Sequence, residues 1–186
     1  MKDDIRDKDS KDVKIEAEVP ITVVEPEKSV LKRLVPPHTK VSRAVTDDDI
    51  EKVVEEAKIL HAICFESMGR YKGAYAMHHS QIDDKDPMSF YVTYDRKIII
   101  NPVITRHTNT PVDSKEACMS FPYEEEVIVP RWHKLEMDFV TIMSDPDNEG
   151  KFKLSSVQHE DLSGHQAFVA QHEIDHGEGR FIHPIK

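Results

Sequence analysis

Ile50, Val53, Val54, Ala57, Leu60 and Cys64 recur at three- and four-residue spacing, so a helix over this stretch has one apolar face. Such a stripe has to be laid against another element, which commits the chain to a packed core. Thr46 stands at the capping position, Asp49 follows three residues later, and Asp47 and Asp48 face the positive end of the helix dipole. Gly69 is the expected stop. Beyond it the period changes. Phe90–Tyr94, Lys97–Ile100, Glu126–Pro130, Lys134–Met143 and Phe152–Val157 are rich in Val, Ile and aromatics and are expected as strands, with a turn over Asp145–Gly150. A second helix is expected from Ser163 to about Gly177. The sum is an α+β fold, with mixed, mostly antiparallel strands packed around a first helix and a central second one.

A chain of 186 residues is most simply one domain. Residues 1–18 are dominated by Asp, Lys, Glu and Arg and cannot bury enough apolar area to offset ordering, so a disordered charged tail is expected before a domain over 19–186. From Val19 to Pro37, four prolines favour an extended segment wrapped over the core. The net charge of −10 argues against nucleic acid or an anionic membrane as partner. No apolar run has the length of a membrane span or the character of a signal peptide, and the acidic N-terminus is unlike a transit peptide. A cytoplasmic protein with two free thiols is expected. Cys64, inside Leu60–Phe65, is expected to be a buried structural thiol.

The chemistry concentrates in the second helix, at His172-Glu173-Ile174-Asp175-His176. Residues four apart project from one helix face, so two imidazoles there can share a metal ion, and Glu173 can reach a water on it. That pattern points to a metal-dependent hydrolase, in which the metal lowers the pKa of water and the carboxylate takes its proton. The string alone has middling specificity, and a catalytic site of this type needs a third protein ligand. Candidates are Cys118, Glu116 and the histidines at 78, 79, 107, 133, 159, 165 and 183.

Around the first of these the chain runs Glu116-Ala117-Cys118-Met119-Ser120, which closely resembles the Glu-Gly-Cys-Leu-Ser signature of peptide deformylases. Gln171-His172-Glu173-Ile174-Asp175-His176 resembles that family's version of the helix motif, with Gly179 and Phe181 following in place. Asn101-Pro102, Val129-Pro130-Arg131 and the stretch around Val30–Arg33 extend the likeness over roughly residues 20–182. The resemblance implies Cys118, His172 and His176 as ligands of one divalent metal, Fe2+ by family habit, with Zn2+, Ni2+ or Co2+ able to substitute. It implies attack of water on the formyl carbon of an N-formyl-methionyl peptide, with Glu173 as base. The Gln81 amide and the Met119 backbone N–H would hold the oxyanion. Glu116 is then a bracing carboxylate, and Asp175 braces a strand or loop. Nascent chains are the implied substrate, which leaves the ribosome as a candidate partner.

One family motif departs. Where deformylases carry Gly-x-Gly-x-Ala-Ala-x-Gln, this chain has Ala74-Tyr75-Ala76-Met77-His78-His79-Ser80-Gln81. Both glycines are alanines and the paired alanines are histidines, which places bulk and charge near the substrate groove. Ten residues, 177–186, follow the motif, so the expected fold has a short C-terminus without the extra helix of many bacterial deformylases, and His183 is expected to be solvated. Two rivals stand beside deformylation. A metalloprotease would share the helix without needing Cys118, and a deformylase-like binding protein would hold metal or peptide without turnover.

Overall fold

The computed structural model describes residues 30–68 and 71–185. The charged tail expected over 1–18 and the stop expected at Gly69 therefore lie outside the described residues. A 3-10 turn at Val30–Arg33 opens the structure, where the sequence led us to expect extended chain. Leu34 N–H closes the turn on the Leu31 carbonyl, and Val30, Leu31 and Leu34 pack on the core, which is what bends the segment.

Helix α1 spans Ile50–Phe65, led in by a 3-10 turn at Asp47–Asp49. The Asp49 carboxylate accepts from the Thr46 backbone N–H at 2.9 Å, the reciprocal half of a capping box. Strands follow as β1 (Ser67–Met68), β2 (Tyr71–Lys72), β3 (Ala76–His78), β4 (Phe90–Thr93), β5 (Ile98–His107), β6 (Pro111–Glu116), β7 (Val127–Trp132), β8 (Lys134–Val140), β9 (Ile142–Ser144), β10 (Phe152–Leu154) and β11 (Gln158–Ser163). Helix α2, His165–Gly177, begins after Gly164, whose φ of +56° makes the corner between β11 and the helix.

The main sheet runs β11-β8-β5-β4-β3, and every pairing between these strands is antiparallel. Both of its faces are covered. Phe90, Val92, Ile100 and Met77 join Val53, Ala57, Leu60 and Cys64 of α1 on one side. Tyr91, Ile99 and Ala76, the alternate residues of the same strands, join Met137, Leu162, Ala167 and Ala170 on the α2 side. Each large side chain buried this way contributes roughly 1.5–3 kcal/mol. The separate β6–β7 hairpin stands beside α2.

Several boundaries differ from the sequence reading. β5 runs on past Ile100 to His107 because Asn101 takes a positive φ of 51° at a register shift, where Pro102 costs no ladder bond. The Asn101 amide pairs with both backbone groups of Val45, which fixes that bulge. The strand expected over Lys134–Met143 breaks at Thr141, whose N–H goes to Ser155 Oγ. β10 stops at Leu154, and β3, β6 and β11 were not expected.

Candidate metal centre

His172 and His176 leave α2 one turn apart, with Nε2 atoms 3.2 Å from one another. The Gln171 side chain anchors the helix to β7, accepting from Trp132 N–H and donating to the Trp132 carbonyl, both at 2.9 Å. Cys118 comes from the loop after β6, which turns sharply as Phe121 N–H bonds the Cys118 carbonyl. Its Sγ lies 3.3 Å from His176 Nε2, and the three ligand atoms all fall within 4.8 Å of one another.

Three observations bear on whether this trio fits a cation. His172 Nδ1 lies 2.9 Å from Glu116 Oε2, so that nitrogen carries the ring proton and Nε2 turns its lone pair to the centre. Tetrahedral nitrogen and sulfur ligands about 2.0–2.3 Å from a metal stand about 3.3–3.6 Å apart, close to the spacings found here. Beside the trio, Glu173 is 4% exposed with Oε2 buried and without a partner among the described residues. Burial pushes its carboxyl up to about 7. The donor set and the unpartnered Glu173 Oε2 beside it fit a metal ion with room for a polar ligand next to that oxygen.

Behind His172 stands a charge network. Arg131, 6% exposed, forks onto both oxygens of Glu116 at 2.8 and 2.9 Å and also reaches Asp175. Asp175 in turn holds Arg180 after the helix. Glu116 thus touches a ligand rather than the centre, and Asp175 ties α2 to β7 and the C-terminal turn. Gln81 is 3% exposed, its Oε1 accepting from His78 N–H and its Nε2 donating to Ser120 Oγ, both at 2.9 Å. That Nε2 is 4.0 Å from Cys118 Sγ. Gln81, Met119, Cys118, His172 and Glu173 all line one cleft of about 300 Å3.

A family model described as polypeptide deformylase matches residues 68–185. The chain belongs to the polypeptide deformylase family. A peptide deformylase of Thermus thermophilus is 36% identical over 84 residues, covering 44% of this chain and 36% of that protein. The matched stretch thus spans about a third of the length of the curated relatives. Among solved structures, peptide deformylase from Thermotoga maritima has TM-score 0.60 at 24% identity, over 77% of this chain and 86% of that one. The class I type b peptide deformylase of Acinetobacter baumannii has TM-score 0.60 at 18%, over 80% and 97%. These structures share the fold. Deformylases are metal-dependent, and the Cys118 trio is where this chain brings together donors that could hold an ion.

The other candidate histidines lie elsewhere in the chain. His107 stacks on Trp132, His133 packs on Phe168, His159 pairs with Asp138 and His165 meets Tyr75. His183 is half-buried against Phe121 rather than solvated, because the C-terminal segment folds back over the Cys118 loop. His78 and His79 do not bring charge to the groove. Both are buried, and burial lowers both pKa values, so they stand neutral. The His78 ring occupies the space beside Gly177, and the His79 ring stacks on Phe90.

His79 also gathers Glu56 and Asp83 into a second ligand-like trio. Its Nδ1 accepts from Met88 N–H at 2.8 Å, so the ring proton sits on Nε2 and points at Glu56. A nitrogen carrying that proton cannot face a metal, and Lys52 and Arg33 already balance the two carboxylates. This trio is an ion-pair network. Arg131 and Ser120 stand in the quoted motifs, but sequence assigns neither a role; besides the motif, the signal for Arg131 is a cation inside an otherwise apolar strand.

Proposed function

We propose that this chain removes the N-formyl group from the formyl-methionine of newly made polypeptides, releasing formate and a free amino terminus. The observation that carries this reading is the convergence of Cys118, His172 and His176 beside Glu173, whose buried Oε2 has no partner among the described residues. A divalent cation on those three residues would lower the pKa of a coordinated water and polarise the formyl oxygen. One thiolate with two imidazoles is a soft set that suits Fe2+, and Zn2+, Ni2+ or Co2+ satisfy the same donors.

The chain's own groups supply the rest. Glu173, with no competing hydrogen bond at Oε2, accepts the proton of the attacking water and passes it to the leaving amine. Gln81 Nε2, aimed by the two bonds of its amide, and the Met119 backbone N–H receive the negative charge that develops on the formyl oxygen. Met77, Phe168 and Val169 give the cleft an apolar wall for the methionine side chain. On this reading the protein works in the cytoplasm, with residues 19–186 acting as one catalytic domain on nascent chains from the ribosome.

Incubation of metal-replete protein with a formyl-Met peptide and with an unformylated peptide tests this. Formate from the first and no internal cleavage of the second is the expected outcome. Cleavage within the unformylated peptide, without formate, would instead establish a protease.

A further inference from the structure

The two histidines of the trio are aimed in different ways. The His172 ring is fixed by the Glu116 carboxylate at its Nδ1. His176 has no such partner, since its Nδ1 is buried and without a hydrogen bond among the described residues. Phe181 packs edge-on against that ring with centroids 4.7 Å apart, but it offers the nitrogen nothing. A ligand ring without a hydrogen bond of its own takes its place from the backbone that carries it.

That backbone is gripped from the altered loop. The 3-10 turn at His79–Gln81 lies against the end of α2, and Ser80 Oγ donates to the His176 carbonyl at 3.2 Å. His78 in turn holds Ser80. Its Nδ1 accepts from the Ser80 backbone N–H at 3.1 Å and lies 3.0 Å from Ser80 Oγ. The same ring fills the room that a side chain at 177 would need, because a Cβ on Gly177 would meet His78 Nε2 at 3.0 Å. His78, Ser80 and His176 are each 1% exposed, so no water stands ready to replace a lost bond. On the other side of the turn, His79 is bonded to Glu56 of α1, which gives the grip a fixed base. The alanine that the family pattern places at position 78 would supply neither the acceptor nor the ring.

We propose that His78 is a positioning residue for His176, acting through the Ser80 hydroxyl. The proposal rests on the metal-site reading of the trio. The link runs from ring nitrogen to Ser80 to the His176 carbonyl. It holds the last turn of α2 in place and so keeps His176 Nε2 facing Cys118 Sγ at 3.3 Å.

Chelator competition for Co2+ in Ser80→Ala, His78→Phe and His78→Asn tests it, with the visible absorption of the Co2+ form and the urea midpoint read alongside. Phenylalanine keeps a ring beside Gly177 without the acceptor, whereas an asparagine Oδ1 can accept the Ser80 N–H as in an Asx-turn. Ser80→Ala and His78→Phe are each expected to weaken Co2+ binding about tenfold and to shift the absorption bands. His78→Asn is expected to bind within about threefold of wild type. Wild-type affinity and bands in either Ser80→Ala or His78→Phe would overturn the proposal even if the urea midpoint falls, because a merely structural contact moves the midpoint alone. Binding by His78→Asn no tighter than by His78→Phe would overturn it too. Wild-type protein that binds no Co2+ would overturn the metal-site reading and the proposal with it.

Discussion

The Nδ1 of His172 has the Glu116 carboxylate as partner, and that carboxylate is itself gripped by Arg131. Removing the arginine would leave a buried carboxylate with one partner fewer and a ligand ring less firmly aimed. Arg131→Met is expected to cost about 3–5 kcal/mol in urea unfolding and to weaken metal binding about 10- to 100-fold in a chelator competition. Unchanged metal affinity would remove the link from Arg131 to His172. For Gln81→Leu, kcat is expected to fall about 10²- to 10³-fold with metal content intact. A loss of metal instead would make Gln81 a support for Cys118 rather than an oxyanion donor. The helix spacing displayed His172, Glu173 and His176 directly, since one turn brings them together. Cys118 was legible only through its neighbours in sequence, and the Arg131–Glu116 grip was not legible, because it depends on how β6 and β7 register.

At the scale of elements, α2 is held at its end by a turn that only glycine fits. Gly179 has φ of +70°, and a Cβ there would come within 2.4 Å of the Thr39 carbonyl oxygen. Gly179→Ala is therefore expected to destabilise by at least about 2 kcal/mol, read as a lowered unfolding midpoint. A midpoint equal to wild type would show that the Thr39 segment yields freely. Both helices were legible because each buries one stripe. β6 and β11 were not, since Pro111–Glu116 and Gln158–Ser163 are mostly polar and take their place from partners in β7 and β8. The altered loop was misjudged for a related reason: residues 78 and 79 face the core, and sequence does not say which way a histidine turns.

Across the whole molecule, acidic groups fasten the segment before α1 and the loop before β4. Arg43 holds Asp49 and Asp86, with Asp49 driven well below the carboxylate range by that guanidinium. Asp83 is held at about 2; burial would raise it, but the N–H groups of Asp86 and Lys85 and the Lys52 ammonium outweigh that. A depressed carboxylate stabilises fully above its unfolded pKa near 4, and the contribution fades as the pH falls towards 2. Asp83→Asn is thus expected to lower the thermal midpoint at pH 6, with the gap to wild type shrinking to a small part of that as the pH falls to about 2. A constant difference between those pH values would contradict the carboxylate's role. On the proposed reading, Cys118, His172 and His176 would hold a divalent metal, and Glu173 would take the proton of the attacking water as formate is released. The most direct test of that reading is formate release from a formyl-Met tripeptide by anaerobically prepared protein, with bound metal measured alongside in wild type and Glu173→Ala. About one metal per chain in both proteins, and formate from wild type alone, is the expected result. Equal formate from both proteins, or metal-replete wild type that releases none, would contradict it.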